Sequence, residues 1–167
     1  MDLVNRALVF ATRAHAAIGQ TRKFTDEPYI VHPIEVMMVV RSAGGSEAMQ
    51  AAALLHDVIE DTPVSAEALG AEFGEEVLGL VLELTAPDHP GDRAARKAAE
   101  CERLAGISAE AQTIKLADVI SNCRTVAERD ADFAAVYLPE KAAVLAVLTR
   151  GSPTLAAQAQ ALFTGVC

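Results

Sequence analysis

The sequence LLHDVIEDT occupies residues 54–62 and completes an apolar run. Continued as one α-helix, it places His56 on the same face as Glu60, and Asp57 on the same face as Asp61, because residues four apart share a face. Three carboxylates would then lie at the C-terminal end of this helix, where the helix dipole repels each by about 0.3–1 kcal/mol. A divalent metal ion would offset this repulsion, whereas a plain charged helix end would leave it unexplained.

A metal ion needs further ligands, and His32 and Asp118 are the candidates elsewhere in the chain. His32 precedes Pro33, and because proline is favoured in the first turn of a helix, His32 is predicted to lie at a helix N-terminus. Asp118 is a single carboxylate inside an apolar helical segment, where burial is costly unless it is paired or binds an ion. Either residue alone has a structural explanation. Together with His56 and Asp57 they predict a site of two histidines and two aspartates, which suits Mn²⁺, Fe²⁺ or Zn²⁺.

The remaining histidines of the four in the chain are interpreted as structural. His15 lies near the end of the first predicted helix, as a surface or hydrogen-bonded residue. His89 lies in a loop that contains proline and glycine. Asn122 follows Asp118 by four residues and is expected on the same helical face.

The order His32, His56-Asp57, Asp118 resembles the H…HD…D pattern of the HD-domain metal-dependent phosphohydrolases. The surrounding strings resemble the RelA/SpoT-type hydrolase domain over roughly residues 3–150: GQTRK at 19–23, EPYIVHP at 27–33, ALLHDVIEDT at 53–62 and KLAD at 115–118. The resemblance implies manganese-dependent removal of the 3′-pyrophosphate from ppGpp and pppGpp. It also suggests a stand-alone small hydrolase, similar to the short bacterial and metazoan versions.

The resemblance further implies roles for polar residues beside the ligands. Glu60 and Asp61 match the family's functional Glu-Asp pair and would act as general base or acid. Arg22 and Lys23 match an Arg-Lys pair that contacts the nucleotide. Asn122 resembles the asparagine that contacts the ribose.

The segment after Asp118 departs from the family pattern. It reads VISN at 119–122, where the long RelA/SpoT proteins usually have arginine-leucine-histidine-asparagine. The base is therefore open between guanine and adenine, and (p)ppApp hydrolysis is one alternative. Removal of the 2′-phosphate of NADPH, which is associated with the metazoan relatives, is a second. A non-catalytic, metal-dependent nucleotide sensor is a third, although the intact Glu60-Asp61 pair argues against it.

Charge and composition exclude some classes of function. The formal net charge of −9 argues against nucleic-acid binding, which relies on basic surfaces. An anionic substrate would need a metal ion and a few local cations, and Lys97 is a further candidate, with plain surface exposure as its alternative. No apolar run approaches the roughly 20 residues of a membrane span. With no signal peptide recognised and three cysteines without metal spacing, we expect a cytoplasmic protein with no membrane partner, as a monomer or homodimer.

Hydrophobic spacing predicts helices throughout the chain. Alanine and leucine dominate, aromatic residues make up 4%, and no useful strand pattern occurs, so we expect an all-α fold. The prediction is a single HD-type domain over residues 1–167, a bundle of eight to ten helices. Ser46 and Ser108 are predicted N-caps, a short helix is predicted from Ser65, and the last two helices are predicted near 139–149 and 153–163.

Overall fold

The computed structural model describes residues 1–23, 25–87, 90–129 and 131–164. Within these residues it contains ten α-helices, no named strand and one isolated β-bridge between Thr21 and Pro28, so the all-α prediction is confirmed. The chain divides into two compact units, an N-terminal unit of residues 1–85 and a C-terminal unit of residues 86–167. No helix in the described ranges combines the length and the low polarity needed to cross a membrane. The single-domain assignment stays a prediction.

The N-terminal unit is built around its third helix. Its helices are α1 (Leu3–Ala17), α2 (Val31–Ser42), α3 (Glu47–Leu55), α4 (Val58–Asp61), α5 (Ala66–Phe73) and α6 (Glu75–Leu84). Helix α3 packs against α1, α2 and α6, and its consecutive alanines, residues 51–53, are fully buried. Small side chains let the neighbouring helices approach α3 closely. Ser46 caps α3 as predicted, and Ser65 caps α5; in each case the hydroxyl oxygen accepts a hydrogen bond from a backbone N–H group.

The helix that was predicted to run through the acidic cluster is interrupted at His56 and Asp57. Helix α3 ends at Leu55, and the short α4 begins at Val58. In a continuous helix the carbonyl of Ala53 would accept the N–H of residue 57. Here His56 Nδ1 lies 2.7 Å from that carbonyl oxygen and takes its place as donor.

This break corrects the electrostatic argument made from the sequence. Glu60 and Asp61 lie in the first turn of α4, and Asp57 occupies its N-cap position. Helix α4 is a single turn that also ends at Asp61, so the dipole of a long helix, on which the sequence-based expectation rested, does not act on these carboxylates.

The C-terminal unit is organised around a long central helix. It contains α7 (Arg93–Gly106), α8 (Ala109–Arg129), α9 (Ala131–Val147) and α10 (Pro153–Thr164), and α8 packs against both α9 and α10. Ser108 caps α8 as predicted, because its Oγ accepts the N–H of Ala111 at 3.1 Å. Helix α9 starts earlier than predicted, at Ala131, and contains Pro139 in its interior. Proline is more often a first-turn residue, so the sequence placed the start of this helix at residue 139.

Candidate metal centre and active site

His32 and His56 are brought together in the N-terminal unit. His32 lies in the first turn of α2, directly before Pro33, and is 3% exposed. His56 follows the last residue of α3 and is 4% exposed. Their ring centroids are 5.3 Å apart, and one ring nitrogen of each lies within 4.8 Å of the other.

The hydrogen bond of His56 determines its tautomer. The carbonyl of Ala53 can only accept a hydrogen bond, so the Nδ1 atom of His56, 2.7 Å away, must carry the hydrogen. In the neutral ring, Nε2 then carries the lone pair. A histidine that ligates a metal typically has this arrangement, with its other nitrogen donating to a carbonyl or carboxylate.

The carboxylate of Asp57 is the point on which the two imidazoles converge. Its Oδ2 atom lies 3.0 Å from His56 Nε2 and 3.8 Å from His32 Nε2. The hydroxyl of Tyr29 donates to the same oxygen at 2.5 Å. Tyr29 was quoted in a family-like string, but its role was missed in the sequence, because a contact between residues 29 and 57 depends on how α2 and α3 pack.

These donors fit a divalent cation. If the His56 ring is neutral, the lone pair on Nε2 faces a carboxylate oxygen at 3.0 Å, and a cation bound between the two atoms would remove that repulsion. Two buried imidazoles and a carboxylate form a mixed nitrogen and oxygen ligand set of the kind that Mn²⁺, Fe²⁺ or Zn²⁺ accepts. The residues present therefore match the chemistry that the sequence predicts for His32, His56 and Asp57.

Asp118 lies in the middle of α8 in the C-terminal unit and is 5% exposed. Lys115 Nζ lies 2.9 Å from its Oδ2, and Asn122 Nδ2 donates to its Oδ1 at 2.5 Å. The predicted burial of Asp118 and the shared face with Asn122 are both found. The ion pair with Lys115 was missed, although the spacing of three residues on a helix allows it.

The proposed proton-transfer residues are exposed beside these buried groups. Glu60 and Asp61 occupy the end of α4 with accessible side chains. Asp61 Oδ2 accepts a hydrogen bond from Gln20 Nε2 at 2.8 Å. Gln20 in turn contacts His15, which is buried, so the structural interpretation of His15 agrees with its position.

Arg22 and Lys23, predicted to bind substrate, differ in their environments. Arg22 is buried, and its Nη1 donates to Glu35 Oε2 of α2 at 2.8 Å. Its backbone N–H donates to the carbonyl of Glu27 at 2.8 Å, which closes the loop before Tyr29. Lys23 is exposed. The sequence did not reveal that an arginine in a loop would be held by a glutamate thirteen residues later.

Lys97, a further residue predicted to bind substrate, belongs to a group of charges in the C-terminal unit. Its Nζ lies 3.8 Å from Glu140, which also binds Arg93 through two hydrogen bonds of 2.7 and 3.0 Å. The pKa of Glu140 is lowered, mainly by these hydrogen bonds from Arg93. Burial lowers the pKa of Lys141, and the ammonium groups of Lys115 and Lys97 lower it further. Three lysines from α7, α8 and α9 therefore share one neighbourhood.

His89, predicted to lie in a loop, is outside the described residues. Cys123 is buried, and burial raises the pKa of its thiol to about 11, so it is a weak nucleophile near neutral pH.

The chain belongs to the HD-domain family, whose model matches residues 7–151. The chain is similar to a solved structure of a metazoan orthologue of SpoT that hydrolyses ppGpp and plays a role in starvation responses. That similarity has a TM-score of 0.89 and 29% identity, and it covers 100% of this chain and 98% of the other.

Two relatives give further comparisons. The chain is 42% identical over 108 residues to guanosine-3′,5′-bis(diphosphate) 3′-pyrophosphohydrolase of Drosophila melanogaster, covering 63% of this chain and 60% of the relative. It is 35% identical over 130 residues to GTP pyrophosphokinase rsh of Brucella ovis, covering 74% of this chain and 17% of the relative. The chain thus spans less than two thirds of the length of either relative.

Proposed function

We propose that this protein is a metal-dependent hydrolase that removes the 3′-pyrophosphate of ppGpp or pppGpp and releases GDP or GTP with pyrophosphate. The observation that carries the proposal is the convergence of His32 Nε2 and His56 Nε2 on one carboxylate oxygen of Asp57. The similarity to a metazoan protein that hydrolyses ppGpp, over 98% of that chain, supports the substrate.

Four residues would hold the metal ion in this proposal. His32, His56 and Asp57 are argued from their geometry, and Asp118 from its place in the H…HD…D order. Mn²⁺ is the proposed ion, as the family resemblance implies, and other divalent transition metals suit the same donors. Such an ion supplies a water molecule of lowered pKa and offsets the negative charge of the phosphoryl group.

The chain's own residues would bind the substrate and move the protons. Water would attack the phosphorus atom attached to the 3′-oxygen and the bond between that oxygen and phosphorus would break, so the nucleotide is released through its 3′-oxygen and the pyrophosphate keeps the oxygen of the water. Glu60 or Asp61 would take the proton from the water as general base, and the carboxyl group so formed would return it to the leaving 3′-oxygen as general acid. The two carboxylates adjoin the ligands in the chain and are exposed, so both can exchange protons with solvent.

Local cations would accommodate an anionic substrate in a molecule of net charge −9. Lys23 and Lys97 carry accessible ammonium groups that can contact phosphate oxygens. Arg22, held by Glu35, would present its guanidinium in a fixed orientation. Asn122 would contact the ribose.

Product analysis tests this proposal. The purified protein is incubated with Mn²⁺ and, in parallel, with ppGpp, ppApp and NADPH, and the products are separated by anion exchange. We expect GDP and pyrophosphate from ppGpp, lost in the presence of EDTA and in Asp57→Ala. Turnover of ppApp or NADPH in preference to ppGpp would contradict the substrate assignment. Retained metal with no turnover of any of the three would contradict catalysis and favour a nucleotide sensor.

A further inference from the structure

A chain of hydrogen bonds in the N-terminal unit leads from the protein interior to Asp61. His15, in the last turn of α1, is 1% exposed, and its Nδ1 lies 2.7 Å from Gln20 Oε1. The Nε2 atom of the same amide donates to Asp61 Oδ2 at 2.8 Å. Gln20 therefore connects a side chain fixed by burial to an exposed one that water would otherwise leave in several rotamers.

The carboxylate of Asp61 determines which group donates and which accepts in each of these hydrogen bonds. An ionised carboxylate only accepts hydrogen bonds, so the Gln20 amide must turn its NH₂ group toward Asp61 and its oxygen toward His15. His15 Nδ1 must then carry the hydrogen that Gln20 Oε1 accepts. Both ends of the amide are engaged, and the orientation of Gln20 is determined by its two partners.

The burial of His15 also needs a reason. Within the described part of the chain, its Nε2 atom is buried without a hydrogen-bond partner. A buried polar atom left without a partner is destabilising, and an apolar residue would fill the same space without that cost. What the histidine adds is the Nδ1–H donor that holds Gln20.

His15 also supports the second carboxylate of the candidate site. Its ring lies 4.7 Å from the ring of Tyr29, measured between centroids. The hydroxyl of Tyr29 donates to Asp57 at 2.5 Å. One buried histidine thus contacts both side chains that donate hydrogen bonds to Asp61 and Asp57.

We propose that Gln20, anchored by His15, is a positioning residue that holds Asp61 in one rotamer for proton transfer. The inference rests on the proposed function, because it assigns Gln20 a role through a carboxylate of that site. Because Gln20 donates its hydrogen bond to Oδ2 of Asp61, the other oxygen, Oδ1, can contact the water or the leaving group. Gln20 does not itself contact the reacting atoms in this proposal.

The variant Gln20→Met tests this role. Methionine has a similar length to glutamine but cannot form the hydrogen bonds that Gln20 makes with Asp61 and His15. We expect kcat to fall by up to about 100-fold, with KM changed by less than about threefold, because the orientation of Asp61 is lost and substrate binding is not. Gln50→Met is the matched control. It removes a glutamine hydrogen bond of 2.9 Å to the carbonyl of Gly45, outside the chain of contacts described here, and should leave kcat unchanged.

A double-mutant cycle distinguishes positioning from a structural role. In an Asp61→Asn background, Gln20→Met should lower kcat by no more than about a further twofold. The carboxylate that Gln20 positions is already absent from that variant. An equal loss in both backgrounds, or an unchanged kcat in the single variant, would overturn the proposal. His15→Phe provides a second test if Gln20→Met folds poorly. It keeps a ring in the interior but removes the donor, and its effect should likewise vanish in Asp61→Asn.

A measurement without turnover separates this inference from the proposed function. Nitrogen-15 NMR of the imidazole should report a hydrogen on His15 Nδ1 in the intact protein and a changed Nδ1 signal in Gln20→Met. A hydrogen on Nε2 instead would overturn the hydrogen-bond chain, whatever the substrate. If the NMR result is as expected but the unmodified protein turns over no phosphoester, the proposed function fails and the positioning role in catalysis fails with it. If turnover is normal and the cycle is additive, only the positioning role fails.

Discussion

Asp57 and Asp118 are two shielded carboxylates held in different ways. Asp57 lies at the break between α3 and α4, where it accepts from the neutral hydroxyl of Tyr29 and faces imidazole nitrogens. Asp118 lies in the uninterrupted α8, where Lys115 supplies a positive charge one turn away at 2.9 Å. Asp57 is therefore positioned by a break between two helices, whereas Asp118 is paired with a residue of its own helix.

The two carboxylates differ in the charge that their own protein partners supply. The carboxylate of Asp118 is neutralised within its own helix, which offsets the cost of burying a charge. The carboxylate of Asp57 instead accepts from the hydroxyl of Tyr29 and lies 3.0 Å from His56 Nε2. If the ring of His56 is neutral, a bound cation would relieve the contact between its Nε2 lone pair and the carboxylate. Predictions that separate the two carboxylates test this contrast.

The largest expected effect is the loss of turnover when either carboxylate is removed. Asp57→Asn and Asp118→Asn should each lower kcat/KM by about 1000-fold or more, because a metal ion contributes several kcal/mol of charge stabilisation and each 1.36 kcal/mol is a factor of ten. Bound metal, measured by mass spectrometry, should fall in both variants.

The same pair of variants should differ in stability, which sharpens the contrast. With EDTA present, Asp118→Asn should lower the free energy of unfolding by about 2 kcal/mol, because Lys115 loses the carboxylate it pairs with. Asp57→Asn should leave it unchanged or raise it, since an amide can donate to His56 Nε2. Equal destabilisation in urea titrations would mean that the two carboxylates are held alike.

A smaller loss of activity is expected for Glu60→Gln. General acid–base catalysis contributes roughly 10²- to 10⁴-fold, and the neighbouring Asp61 can replace part of it, so we expect a fall of about 100-fold in kcat with metal content unchanged. Glu67→Gln, which alters an exposed glutamate in the first turn of α5, is the control. Full activity of Glu60→Gln would remove it from the mechanism and leave Asp61 as the proton acceptor.

The sequence predicted the elements well because local signals determine them. The serine caps, the placement of His32 before a proline and the shared face of Asp118 and Asn122 all depend on residues a few positions apart. The break after Leu55 could not be predicted, because strong helix formers precede it and the competing donor is a ring nitrogen of His56.

Hydrogen bonds between residues far apart in the sequence could not be predicted either. The hydrogen bond from Gln20 to Asp61 joins residues 41 positions apart, and that from Tyr29 to Asp57 spans 28. Each depends on how helices pack, which no local pattern encodes. The candidate ligands could be named from their order in the chain, whereas the side chains that orient them could not.

The next effect in size concerns the partner of Asp118. Lys115→Met would leave a buried carboxylate without its ion-pair partner, and we expect the free energy of unfolding in EDTA to fall by about 2 kcal/mol, discounted for the 18% exposure of the lysine side chain. Lys97→Met is the matched control, because its pair with Glu140 is longer, at 3.8 Å, and half exposed. It should cost less than about 1 kcal/mol. Similar losses in the two variants would show that the Lys115 pair contributes no more than a surface pair.

The smallest expected effect concerns the neutral donor of Asp57. Tyr29→Phe keeps the ring that packs on His15 and removes only the hydroxyl that donates to Asp57. Because a group that orients a metal ligand typically contributes 10- to 100-fold in metal affinity, we expect Mn²⁺ to bind about tenfold more weakly in competition titrations, with kcat at saturating metal within about threefold. Stability in EDTA should fall by only about 1 kcal/mol, less than for Lys115→Met, since a neutral hydrogen bond is lost and not an ion pair. A larger loss for Tyr29→Phe than for Lys115→Met would reverse the contrast, because Asp57 would then depend more on its own protein partner than Asp118 does.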